Sequence, residues 1–232
     1  ETFDALKEAV NELGLPCIIK PDVATSGRGH VLVKDEDQLK DAWDNVRRGK
    51  KNSWVVAERF VDFDYEVIIM AVRSIDPETG KLATWFSEPI GYEHARGNLV
   101  DCWQPKTMSQ RAFENARSVA ARISNELGGR GIFAVELFVA GDDIYFSSVT
   151  PRPSDKAMLT EATQRFSQYE LHARAILGLP IDITLVSPGA SSLLHATEEI
   201  DEVTYSGVEE ALQVAETDVR LFGKPSSYPG RR

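Results

Sequence analysis

Ile132-Phe133-Ala134-Val135-Glu136-Leu137-Phe138-Val139, then Ala140-Gly141-Asp142-Asp143, then Ile144-Tyr145-Phe146-Ser147-Ser148-Val149: two short runs rich in apolar residues are joined by turn-forming residues. Runs of this length, rich in β-branched and aromatic side chains and separated by a Gly-Asp turn, predict a hairpin of two sheet strands. Glu136 breaks the first run. A carboxylate pointing inward there is costly unless a cation or a hydrogen-bond donor meets it. A magnesium ion is one such partner, and a strand edge facing water is the plain alternative.

The flanking sequence fills in around this hairpin. Ala112, Ala116, Val119, Ala120 and Ile123 recur at helical spacing, with Ser109 placed to cap the helix and Gly128-Gly129 to end it. Upstream, residues 54–61, 65–75 and 82–90 read as strands of an antiparallel meander with turn chemistry at Asp76-Pro77-Glu78-Thr79-Gly80, whereas 91–104 lacks a clear period. Nearer the N-terminus, Phe3, Leu6, Val10 and Leu13 predict a helix stopped by Gly14 and Pro16. Cys17-Ile18-Ile19 and Val31-Leu32-Val33 then bracket a glycine-bearing loop, and a helix follows through Leu39, Ala42, Trp43 and Val46. After Pro151 and Pro153, helices are expected near 169–177 and 208–214 and strands near 191–195 and 219–222. Helices mixed with antiparallel strands indicate an α+β fold.

Composition narrows the function. With 232 residues, 42% of them hydrophobic, the chain can bury a large core as one domain or as two unequal lobes. Lys plus Arg number 26 against 36 Asp plus Glu, and a net charge of -10 opposes the phosphates of nucleic acid. Cys17 and Cys102 are too few for a disulfide framework or a thiolate metal cluster, so the reducing cytoplasm is the expected compartment. No apolar run reaches the roughly 18 to 20 residues that span a bilayer, so no membrane association is expected. The helical pattern starts with the first residues and the chain stops on Arg231-Arg232, as expected of a piece of a longer protein.

Three constellations carry chemistry. Lys20 with Thr25-Ser26-Gly27-Arg28-Gly29-His30 combines a point charge, hydroxyl donors and glycines that let backbone amides turn toward an anion. A solvated hairpin loop is the structural alternative. Glu58-Arg59-Phe60-Val61 at a strand end could offer a carbonyl and an amide to an adenine edge, and Glu66 could accept from ribose hydroxyls. Solvated strand-end acids are the alternative there. Arg152, held between Pro151 and Pro153, suits orientation of a carboxylate or phosphate.

The order of these pieces resembles the ATP-grasp enzymes and, more closely, the formate-dependent phosphoribosylglycinamide formyltransferases. The resemblance runs through Pro16-Cys17-Ile18-Ile19-Lys20-Pro21, Ser26-Gly27-Arg28-Gly29, Phe63-Asp64-Tyr65-Glu66, Trp103-Gln104-Pro105, residues 128–138, Pro151-Arg152-Pro153, Leu177-Gly178-Leu179-Pro180 and Leu221-Phe222-Gly223-Lys224-Pro225 with Arg231-Arg232. It implies two lobes with antiparallel sheets clasping a nucleotide. Residues 1–61 would be the small lobe and 62–232 the large one, and the family's N- and C-terminal flanking domains would lie outside the chain.

By the same resemblance the cofactors are ATP and Mg2+. Lys20 touches the phosphates, Ser26, Gly27, Arg28 and Gly29 cover them, Glu58, Arg59, Phe60 and Val61 hold adenine, and Glu66 binds ribose. Glu136 ligates magnesium, while Lys20, Arg152 and Asp155 belong to the catalytic set. Asp155, Lys224, Arg231 and Arg232 address glycinamide ribonucleotide, which with formate makes up the substrates. The family makes formyl phosphate from formate and ATP, and the ribonucleotide amine then takes the formyl group. Resemblance further implies a homodimer.

One segment departs from the family, whose pattern reads Ser-Glu-Val-Ser-Pro-Arg-Pro-His-Asp-Thr-Gly. Here Ser148 replaces the second magnesium carboxylate, Ser154 the His, Lys156 the Thr and Ala157 the Gly. Losing one negative charge and gaining one positive charge is a swing equal to the charge of one magnesium ion, which suggests that Lys156 partly substitutes for metal. The rival reading turns Lys156 to solvent and lets Asp142, Asp143 or a water complete the site. Two other functions compete: a different ATP-grasp carboxylate-amine ligase, such as a carboxyaminoimidazole ribonucleotide synthetase, and a catalytically silent nucleotide-binding paralogue. Gly223-Lys224-Pro225 with Arg231-Arg232 favours the formyltransferase.

Overall fold

The computed structural model describes residues 2–22, 29–47, 54–95 and 98–229. Helix α1 (Phe3–Leu13) starts where the Thr2 hydroxyl accepts the Ala5 N–H at 3.2 Å, and it ends at Gly14. Strands β1 (Cys17–Pro21), β2 (Val31–Val33) and β3 (Val55–Arg59) form a three-stranded antiparallel sheet in the order β2-β1-β3. Alternation along β1 sends Cys17 and Ile19 inward. There they pack with Val33 against Leu6 and Val10 of α1 and Leu39, Ala42, Trp43 and Val46 of α2 (Leu39–Val46).

A second, seven-stranded sheet is built on β4 (Tyr65–Ile75), with β5 (Leu82–Phe86), β6 (Ile90–Ala95), β7 (Asn98–Gln104), β8 (Gly131–Ala140), β9 (Asp143–Thr150) and β10 (Gly189–Ser192). The order is β10-β7-β6-β4-β8-β9, with β5 also paired to β4. On one face, Val67, Ile69, Ala71, Val135, Leu137 and Val139 pack on Ala112, Ala116 and Ala120 of α3 (Gln110–Leu127). The alanine stripe lets the helix lie close to the sheet. Ser109 caps α3, its hydroxyl accepting the Ala112 N–H at 3.0 Å. Beyond the sheet, α4 (Thr160–Thr163) and α5 (Gln168–Leu177) precede β10.

Contacts divide the chain into residues 1–191 and 192–232. Among its described residues the second unit holds α6 (Val208–Leu212) and a bridge in which Ile200 and Ser227 exchange backbone hydrogen bonds at 3.1 and 2.8 Å. The 219–222 run forms no strand.

Two further expectations change. Strand β3 does not join a meander with β4 but pairs with β1, Ile18 opposite Glu58. Residues 91–104, which lack a legible period, hold β7 and all of β6 but Ile90, and the expected 82–90 strand stops at Phe86. Their alternation is broken by Gly91, whose place is set by packing: a Cβ there would lie 2.5 Å from the Trp103 ring across the strand pair.

Candidate functional site

Register assembles the site on the sheet face opposite α3. Ile68 pairs with Glu136 and Glu66 with Phe138 across β4 and β8, while Val67 pairs with Gly91 across β4 and β6. Side chains alternate along each strand, so Glu66, Glu136, Tyr92 and His94 share this face. Helix α5 covers its far end, where Ser74 donates to the Leu179 carbonyl and His172 Nδ1 accepts the Ile132 N–H at 3.1 Å.

Glu66 is held from β6. The Tyr92 hydroxyl donates to Glu66 Oε1 at 3.0 Å, and His94 Nδ1 stands 3.6 Å from Oε2, with the two rings edge to face at 5.4 Å. Burial alone would raise the Glu66 pKa, but the donors on His94 and Tyr92 and the charges of His94 and Lys156 outweigh it and hold the carboxyl below its ordinary value. Burial, with the nearby Glu136 and Glu66 charges, drives the Tyr92 phenol far upward, so it stays a donor.

Glu136 has a cation of its own. Lys156, on the 3-10 turn Asp155–Ala157, places Nζ 2.8 Å from Glu136 Oε2, and each of the two side chains is only 15% exposed. The ammonium also lies 4.0 Å from the centroid of the Tyr92 ring, a cation-π distance. The turn beneath it is pinned: Gln168, fully buried, accepts the Ser154 N–H and donates to the Ser154 carbonyl, both at 2.8 Å. The Ser154 hydroxyl accepts the Lys156 N–H at 3.4 Å, and Thr160 Oγ1 donates to the Ala157 carbonyl at 2.6 Å.

Ser148 stands directly across from Glu136 and is exposed. The register shifts between Glu136 and Leu137, because Leu137 faces Phe146 and Ser147 is the extra residue of a bulge.

In the three-stranded sheet, Lys20 points away from the apolar core and is ion-paired with Glu58. His30 is close enough that burial, then the Lys20 charge, lowers its pKa against the opposing pull of Glu58. Gly29 adopts φ +84° in the turn before His30, with Pro21 behind it. The Phe60 N–H is bonded to the Pro16 carbonyl at 3.2 Å, while Arg59 is exposed and Val61 half-buried. Arg152 is exposed and donates to the Pro153 carbonyl, Asp155 is exposed at the start of the lysine turn, and Lys224 is exposed in the C-terminal unit. Ser26, Gly27, Arg28, Arg231 and Arg232 lie outside the described residues.

The structure therefore brings together Glu66 with Glu136, and Lys20 with Glu58. Tyr92, His94 and Gln168 escape the sequence reading. The alternation Tyr92-x-His94 is the one signal that could have found the first two.

Magnesium seeks hard anionic oxygens in octahedral array. Here the donor set is one carboxylate already matched to an ammonium and one neutral hydroxyl. Among the described residues no group of three or more His, Cys, Asp or Glu could hold a metal. These residues do not fit a magnesium ion. Nor is any helix among the described residues long and apolar enough to cross a membrane.

Known proteins resemble this chain in sequence and fold. The ATP-grasp domain family matches residues 1–169, and the family described as PurT, C-terminal, matches 189–232. The chain is 54% identical over 233 residues to the formate-dependent phosphoribosylglycinamide formyltransferase of Corynebacterium glutamicum (strain R), covering all of this chain and 57% of that protein. It is 46% identical over 234 residues to the enzyme of the same name from Burkholderia vietnamiensis, again covering all of this chain and 58% of the relative. The chain thus spans a little over half the length of the curated relatives it matches.

Among solved structures, glycinamide-RNase-transformylase T from Mycobacterium tuberculosis superposes with a TM-score of 0.75 at 33% identity, over 97% of this chain and 58% of that one. The N5-carboxyaminoimidazole synthase of Aspergillus clavatus, in complex with ADP and an aminoimidazole ribonucleotide, gives 0.84 at 21% identity over 100% of this chain and 59% of its own, a likeness of fold alone. With two antiparallel sheets in place and most of its length matched by one family, the chain belongs to the ATP-grasp family.

Proposed function

We propose that this chain is the nucleotide-binding portion of a formate-dependent glycinamide ribonucleotide formyltransferase. The observation that carries the reading is identity of 54% along the whole chain to an enzyme so named. Residues 1–61 act as the small lobe and the remainder as the large one. ATP lies with its phosphates toward Lys20, its adenine along residues 58–61 and its ribose at Glu66. Lys20 neutralises the polyphosphate by exchanging Glu58 for phosphate oxygens, and Gly29 and the residues before it cover the chain of phosphates.

In the reaction a formate oxygen attacks the γ-phosphorus, ADP leaves, and formyl phosphate forms. The amine of glycinamide ribonucleotide then attacks the formyl carbon and expels phosphate. Asp155 and Arg152 orient the ribonucleotide and formate, while Lys224, Arg231 and Arg232 receive the ribonucleotide phosphate. The protein works in the cytoplasm as a homodimer.

The test supplies the full-length protein with ATP, formate and glycinamide ribonucleotide and follows ADP release. Release that depends on both co-substrates is expected. ADP release indifferent to the ribonucleotide would remove the formyltransferase assignment.

A second reading, a nucleotide-binding paralogue with weakened turnover, is favoured by the Lys156–Glu136 ion pair. It predicts ATP binding without ribonucleotide-dependent ADP release.

A further inference from the structure

We propose that Lys156 is a built-in cation standing where relatives recruit a divalent ion, so that nucleotide binds this chain without divalent metal. The inference rests on the nucleotide-binding reading and deepens it.

Three independent features support it. First, the ammonium of Lys156 is 2.8 Å from the carboxylate of Glu136, the residue that resemblance makes a metal ligand. The inward acid at this strand position therefore already has its counter-charge. Second, Ser148 stands across the strand pair from Glu136 where the family pattern has a carboxylate, so the position directly opposite the acid offers a neutral hydroxyl in place of an anionic oxygen. Removal of one acid and addition of one base together supply the two units of charge that a magnesium ion would bring.

Third, the lysine is braced rather than trailing in solvent. Its side chain is only 15% exposed and its ammonium lies over the Tyr92 ring, whose hydroxyl in turn holds Glu66. Below it, Gln168, Ser154 and Thr160 lock the turn through the bonds described above. A solvent-directed lysine would need none of this. A merely structural ion pair would share the geometry, but it would leave the metal requirement of nucleotide binding untouched, and that requirement is measurable.

The experiment is isothermal titration of the full-length protein with ATP or its β,γ-imido analogue, in excess EDTA and in millimolar magnesium chloride. The two affinities are expected to agree within about threefold, and a larger gain from magnesium overturns the proposal. K156M, which keeps the stem and removes the charge, is expected to lose about tenfold or more in EDTA; unchanged binding in EDTA overturns it. S148E combined with K156T is expected to restore magnesium dependence of at least about tenfold, read also as manganese binding by electron paramagnetic resonance. Circular dichroism confirms that each variant is folded, and the wild-type comparison needs no variant at all. Magnesium-dependent binding by the wild type defeats this inference alone, whereas absence of binding under both conditions defeats the nucleotide reading as well.

Discussion

The side chain of Gln168 meets both backbone polar groups of Ser154, accepting its N–H and donating to its carbonyl at 2.8 Å each. A residue on the first turn of α5 thereby fixes the turn that aims Lys156 at Glu136. Sequence, packing and site chemistry meet in one amide.

Substituting Gln168 by Leu removes the acceptor of the buried Ser154 N–H and one of the two donors to the Ser154 carbonyl, which keeps the Ala157 N–H at 3.0 Å. A loss of about 1 to 3 kcal/mol is expected from one buried donor left unsatisfied. Urea denaturation measures it, and nucleotide affinity in EDTA should fall with it. A variant as stable as the parent would show that the clamp is dispensable.

Gly91 faces the Trp103 ring across β6 and β7. Because an added Cβ would approach that ring to 2.5 Å, G91A must displace the indole or bend the pair. Overpacking of this kind costs about 1 to 3 kcal/mol. Thermal unfolding together with the tryptophan emission maximum reports both consequences.

His172 accepts the Ile132 N–H through Nδ1, and burial lowers its pKa below the ordinary value of about 6.5. The neutral imidazole is the form the fold requires, and the unfolded chain takes up its proton first as pH falls. The stabilisation is therefore complete above about pH 6.5 and is lost as pH drops through the folded value. Denaturation midpoints from pH 8 down to pH 5 should fall on the acid side (roughly the range in which histidine titrates), and H172Q should flatten that slope.

Tyr92 donates to Glu66, whose carboxyl sits below its ordinary value. The stabilisation from Glu66 is present above the unfolded carboxyl value of about 4.3 and is lost as pH falls through the folded one. Y92F removes one donor, so nuclear magnetic resonance titration should place the Glu66 carboxyl higher in the variant. A charge-assisted bond of this type is worth about 1.5 to 3 kcal/mol.

Strong periodicity made much of the fold legible. The alanine stripe of α3, the β8–β9 hairpin and the β1–loop–β2 unit all follow from local pattern. Partner choice does not. Strand β3 looks like the start of a meander because its neighbour in sequence is β4, yet its exposed Val56 and Glu58 alternate with half-buried Val55 and Ala57, which pack on the three-stranded sheet's core. β6 is hidden by Gly91 and by the polar residues Glu93 and His94. The same polarity puts it in the site, since Tyr92 and His94 hold Glu66. For Glu136 the sequence correctly posed the demand for a cation, but it took the geometry of Lys156 to show which cation the chain itself supplies.

The bulge at Ser147 carries a consequence of parity. Ile144 and Val149 are an odd number of residues apart and would face opposite sides of a regular strand, yet both pack against the α3 core. The extra residue resets the count, and in the same step it turns Ser148 toward Glu136. Deleting one serine would thus exchange inside for outside along part of the hairpin, so the hydroxyl opposite the acid and the seal over the helix are set by a single insertion and stand or fall as one.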